Sequence, residues 1–84
     1  MTEYSGLPVA GYRAQSQETV DAVNENKEAE EVLLRRIESL RDNSTLACDP
    51  RMIALAITAL QESFMWLNRA LMKPGRVRLP EDAS

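Results

Sequence analysis

Apolar residues in the second half of the chain recur at Ile53, Ile57, Leu60, Phe64, Leu67 and Leu71, at spacings of 4, 3, 4, 3 and 4. That is the period of one helix face, and it predicts a helix over 49–72. Asp49-Pro50 supplies the start, with a capping carboxylate followed by a proline whose missing N–H costs nothing at the first helical position. "KPGR" supplies the stop. A second seam runs beside the first through Met52, Leu55, Ala56, Ala59, Ser63, Trp66 and Ala70. One partner helix cannot cover both seams, so a helix patterned in this way belongs inside something larger. Its small residues would let helices approach closely between subunits.

The first half follows the same period with an interruption. Val20 and Val23 open an apolar stripe, and Leu33, Leu34, Ile37 and Leu40 continue it. Between them stands Asn24-Glu25-Asn26-Lys27. The pattern predicts a helix over 16–41, capped by Ser16, with Glu18 and Asp21 in the first turn where the helix dipole favours negative charge. Its roughly 25 residues would span about 37 Å. Glu31 and Arg35 form an i,i+4 pair of the favourable orientation. Gly6, Pro8 and Gly11 punctuate residues 1–15, which read as a flexible arm. The loop "RDNSTLACDP" joins the helices, and 73–84 reads as an extended tail. The expectation is a single all-α domain over 1–84, an arm and an antiparallel hairpin of two long helices, packed into a homo-oligomer.

Size sharpens the case for partners. A chain of 84 residues buries a modest fraction of its surface and usually needs a staple. Cys48 is the only cysteine, so no disulfide forms within the chain, and the absence of histidine makes a zinc site improbable. Further copies of the chain are the staple that remains. No stretch approaches a membrane span and the N-terminus lacks the features of a signal peptide, which predicts a soluble, intracellular protein. The net charge of −3 argues against long DNA or RNA as a partner. It leaves room for a small anion held by a few placed cations.

Catalysis is the chemistry the composition disfavours. Without histidine there is no Ser-His or Cys-His pair, and Asp49 beside Cys48 would raise that thiol's pKa. Glu25, Glu28, Glu30 and Glu31 read as a solvated helix face, and no Gly-rich phosphate loop is present. The chain is therefore expected not to be an enzyme, and to need neither metal nor cofactor. Binding is better provided for. Tyr12 and Arg13 stand just before the first helix, where an aromatic ring could stack on a base; a staple onto the helix near Val20 explains Tyr12 equally well. Lys27 lies on the line joining Val20 and Val23 to Leu34, so it points toward the interface side, where a half-buried ammonium requires an anion. Asn24 and Asn26 could bond base edges. Arg69 lies just off the second-helix seam, beside Trp66. It could form a rim ion pair with the first helix, or a phosphate contact where helices converge.

"GYRAQSQETVDAVNENKEAEEVLLRRIESL", followed by "ALQESFMWLNRALMKP" and "RVRLPED", resembles the small phage proteins known as anti-CBASS cyclic-oligonucleotide sponges, over about residues 11–82. The resemblance implies a compact helical homohexamer in the cytoplasm of an infected bacterium. It would sequester cyclic dinucleotides such as 3′,3′-cyclic GMP-AMP without cleaving them, blocking the immune effector they activate. It also implies that Tyr12 stacks on the bases and Lys27 contacts the phosphodiesters, with Arg69 serving a separate cyclic-trinucleotide site near a threefold axis. Asn26 and Arg13 are added on chemical grounds alone. The alternative from a different class is a structural helical oligomer or adaptor with no nucleotide ligand.

Overall fold

The computed structural model describes residues 13–83, so Tyr12 and the rest of the expected arm before Arg13 lie outside the described residues. Two long helices, α1 (Gln17–Arg41) and α2 (Pro50–Met72), lie side by side and run antiparallel as a hairpin. A short 3-10 turn at Pro80–Ala83 follows, and no strand occurs among the described residues. The fold is all-α.

The ends of the helices are built by local chemistry. Ser16 Oγ accepts from the Thr19 amide at 3.1 Å, satisfying one of the donors that the first turn leaves without a partner. Asp49 Oδ1 does the same twice at α2, accepting from the amides of Arg51 at 2.9 Å and Met52 at 3.1 Å. Between the helices, Asn43 turns the chain by accepting from the Thr45 amide at 3.0 Å, and the Cys48 thiol reaches the Leu40 carbonyl at 3.6 Å. Just past α1, a hydrogen bond from Arg41 holds the Asp42 carboxyl below the usual carboxylate range. At the far end Lys73 adopts a left-handed conformation, φ 47°, and its amide closes onto the Arg69 carbonyl at 2.8 Å.

The tail departs from the extended reading. Asp82 folds it back: its carboxylate accepts from the Leu79 amide at 2.9 Å, while its own amide donates to the Leu79 carbonyl. Arg78 donates to the Asp82 carbonyl at 2.7 Å and tightens the loop. Capping by an acidic side chain three residues on is a local effect, and it turns the chain at Pro80–Ala83.

Half-buried positions mark the seam. On α1 they include Val23, Asn26, Leu34, Ile37 and Leu40; on α2 they are Ile53, Ile57, Leu60, Phe64, Asn68 and Leu71. Asn26 and Asn68 meet across it, Nδ2 of the first donating to Oδ1 of the second at 3.0 Å. A polar pair set in an apolar seam fixes register, because sliding either helix would leave one amide without its partner. Losing one member should cost roughly 1 kcal/mol, with the orphaned amide contributing most of it. Asn68→Ala should therefore lower the unfolding free energy by about that amount, and Asn26→Ala/Asn68→Ala by less than the sum of the single losses. Urea unfolding of the three variants checks this, and additive losses would show that the pair does not act as a unit.

No described side chain is buried. Leu33 and Leu67, both on the expected stripes, are 45% and 46% exposed. The second seam of α2 lies open, with Met52 at 63%, Leu55 at 55% and Trp66 at 57%. The hairpin covers one seam, in part.

Candidate functional site

Two hollows open at the end of the hairpin where α1 begins and α2 ends. They share Gln15 and Met72 as a common wall. The smaller, of about 210 Å³, lies against α1 and is lined by Val20, Val23, Asn24 and Lys27. The larger, of about 380 Å³, lies against α2 and carries Arg13, Trp66, Asn68 and Arg69, with Met65 and Pro74 at its edge.

The break in the α1 stripe divides between two faces. Asn26 turns into the seam toward Asn68, whereas Asn24 and Lys27 line the smaller hollow beside the two valines. Lys27 is exposed in the single hairpin, and the half-buried ammonium is expected on the side facing other copies of the chain. The physical reason is that one partner helix covers the Asn26 side of α1 and leaves the Lys27 side to solvent. An exposed ammonium above an apolar floor can hold an anion on its outer side while the floor receives a flat, weakly polar group. That is the chemistry of a phosphate joined to a base.

Arg13 and Arg69, 56 residues apart in sequence, come to one hollow with the Trp66 indole. Of the two readings of Arg69, the ion pair with α1 is not what the structure shows. The ion pairs among the described residues are Arg35–Glu31 at 2.8 Å and Arg41–Asp42 at 2.9 Å, and Arg69 joins neither. Two guanidinium groups beside an exposed indole can take an anion and stack on a ring. The expected site residues thus separate, with Lys27 in one hollow and Arg13 and Arg69 in the other. Asn26 stands between the helices with its amide N–H engaged by Asn68.

Gln15, Asn68 and Met72 are the participants that sequence reasoning missed. Asn68 carried a signal, since it falls four residues after Phe64 on the half-buried face and interrupts that seam as Asn26 interrupts the first. Gln15 carried none, because its role depends on a carbonyl 57 residues away: Nε2 donates to the Met72 carbonyl at 2.8 Å and to the Arg13 carbonyl at 2.6 Å. Among the described residues no group of three His, Cys, Asp or Glu side chains is placed to hold a metal ion. None of their helices is long and apolar enough to cross a membrane.

Comparison with known proteins gives one finding: the family model described as Acb2/Tad1, hairpin domain, matches residues 7–72. None of the curated proteins and none of the solved structures compared matches the chain.

Proposed function

The chain belongs to the Acb2/Tad1 hairpin-domain family, known for sequestering cyclic oligonucleotides, and from that premise we propose that it is a sponge for cyclic dinucleotides such as 3′,3′-cyclic GMP-AMP. It holds the messenger without cleaving it and so blocks CBASS immunity in the cytoplasm of an infected bacterium. The observation that supports this reading is the smaller hollow, which pairs the Lys27 ammonium with an apolar wall of Val20 and Val23. Lys27 contacts a phosphodiester there. Tyr12, three residues before the Gln15 wall, is assigned to stacking on a base.

The hollow is too small to act alone. At about 210 Å³ it falls below the roughly 300–1,000 Å³ typical of small-molecule sites. It holds part of a cyclic dinucleotide, and a second copy of the chain supplies the rest. A ligand with two similar halves suits a site shared by symmetry-related subunits. The open second seam of α2, from Met52 to Trp66, gives those subunits an apolar surface to bury. The assembly proposed, on the family resemblance, is a hexamer.

The larger hollow is the natural place for a cyclic trinucleotide, with Arg69 and Arg13 as its cations. Arg69→Ala should therefore weaken trinucleotide binding by about tenfold or more, the loss of a charge-assisted hydrogen bond, and leave dinucleotide binding within about twofold. Parallel calorimetric titrations measure both. Equal losses on the two ligands would mean one shared site.

The test of the whole reading is titration of the purified protein with 3′,3′-cyclic GMP-AMP, then release by heat and chromatography of the ligand. Tight binding with intact ligand recovered is the expected result. Recovery of linear or mononucleotide products would make the protein a phosphodiesterase. No heat with any cyclic di- or trinucleotide would leave a structural helical oligomer.

A further inference from the structure

The wall between the two hollows depends on one side chain. Gln15 sits immediately before the Ser16 cap of α1, and its Nε2 donates to two carbonyls that nothing in the local sequence brings together. One belongs to Met72, the last residue of α2. Carbonyls at a helix end lack an intrahelical partner. Lys73 takes the Arg69 carbonyl by its left-handed turn, and Gln15 takes the Met72 carbonyl from outside. The other carbonyl is that of Arg13, two residues back along the same chain. Both protons of one amide are thus used, and together they tie the backbone before α1 to the end of α2.

We propose that Gln15 is a positioning residue for ligand binding: by bridging the Arg13 and Met72 carbonyls, it holds Arg13 over the larger hollow and fixes the wall that both hollows share. The inference rests on the reading of those hollows as nucleotide sites. Its physical basis is the freedom of the segment when the bridge is absent. Residue 13 precedes the first helical turn, and among the described residues the Gln15 amide supplies the side-chain bonds that tie this segment to α2. An arginine on an untied backbone must be ordered when the ligand arrives, and that ordering subtracts from affinity. With the bridge in place, the guanidinium is already delivered beside Trp66 and Arg69.

Two variants remove the bridge in different ways. Gln15→Met keeps the length and loses the donors, while Gln15→Glu keeps the shape and sets a carboxylate against two carbonyl oxygens. Each should weaken the trinucleotide by about tenfold, the affinity given up to ordering the untied Arg13 segment when the ligand arrives. The oligomeric mass should remain that of the unaltered protein, and the melting temperature should fall by several degrees at most, about the effect of losing exposed hydrogen bonds. Hydrogen exchange at the Lys73 amide, which shares its peptide group with the Met72 carbonyl and is bonded to the Arg69 carbonyl, should quicken in both variants, with exchange in the middle of α1 and α2 unchanged. A double-mutant cycle separates positioning from simple support. If Gln15 acts through Arg13, Gln15→Met should add little to the loss already caused by Arg13→Ala.

The outcomes separate cleanly. Unchanged exchange at the Lys73 amide in Gln15→Met would overturn the bridge itself, whatever the ligand does. Faster exchange with unaltered affinity, or full additivity with Arg13→Ala, would reduce Gln15 to a structural role and overturn the proposal. Failure of the unaltered protein to bind any cyclic oligonucleotide would overturn the functional reading and, with it, the positioning role. The exchange data would then still report the bridge as a feature of the fold.

Discussion

Replacing Lys27 by alanine abolishes cyclic-dinucleotide binding while the protein elutes at an unchanged mass. The expectation follows from where the ammonium sits. It is exposed at the edge of the smaller hollow and outside the α1–α2 seam, so its removal leaves the Asn26–Asn68 pair and the half-buried contacts intact. Stability should change by no more than about 0.5 kcal/mol, the range for an exposed position. Affinity should change far more. A hydrogen bond to a charged group contributes about 1.5–3 kcal/mol, and a symmetric ligand held by two copies meets the lysine twice. The combined loss is on the order of a hundredfold to ten-thousandfold in Kd, beyond the range of an ordinary titration. Lys27→Arg should recover part of it, since the charge remains but the fork is wider and flatter than an ammonium. Glu28→Ala, next in sequence and absent from the hollow's lining, is the control and should leave affinity within a few-fold. Wild-type affinity in Lys27→Ala would place the ligand elsewhere.

The hairpin was legible in the sequence because its signals are local. The 4-3-4-3-4 spacing of α2 and the Asp49-Pro50 start need no knowledge of the partner helix, and the stripe of α1 survives its interruption. The interruption was legible as an anomaly, though not in its parts. Residues 24–27 cover one turn of helix and so point in every direction, and only the position of α2 decides which of them enters the seam. Asn26 does, Lys27 does not, and the difference is about a quarter turn. The Gln15 bridge was illegible for a stronger reason: its partners are main-chain carbonyls, which every residue possesses, so no residue type at position 72 could announce it. Arg13 and Arg69 were each legible as candidate ligand cations. Their convergence on a single hollow is a property of the antiparallel packing.

Leu55→Asp separates the assembly into smaller species and removes dinucleotide binding with it. Leu55 lies near the start of the second α2 seam, 55% exposed in the single hairpin, with Met52 before it and Trp66 beyond it also open. An intersubunit contact that covers this leucine gains about 1.5–3 kcal/mol for the side chain. The aspartate forfeits that gain and adds a carboxylate that must either lose its water or keep the interface apart. Symmetry repeats the penalty in every subunit, so the assembly responds far more steeply than one interface would suggest. Light scattering should show the mass fall to that of one or two chains, and the melting temperature should drop, since the hairpin alone buries no described side chain. The loss of binding is the more telling result, because Leu55 does not line the smaller hollow and lies at the far end of α2 from Lys27's partners. A site completed by a second copy must fail when that copy leaves; a site contained in one chain must not. Retained mass would show that the second seam of α2 serves another protein and not a copy of this chain. Retained dinucleotide binding in a dissociated protein would show that one chain holds the ligand by itself, and would overturn the site shared between copies.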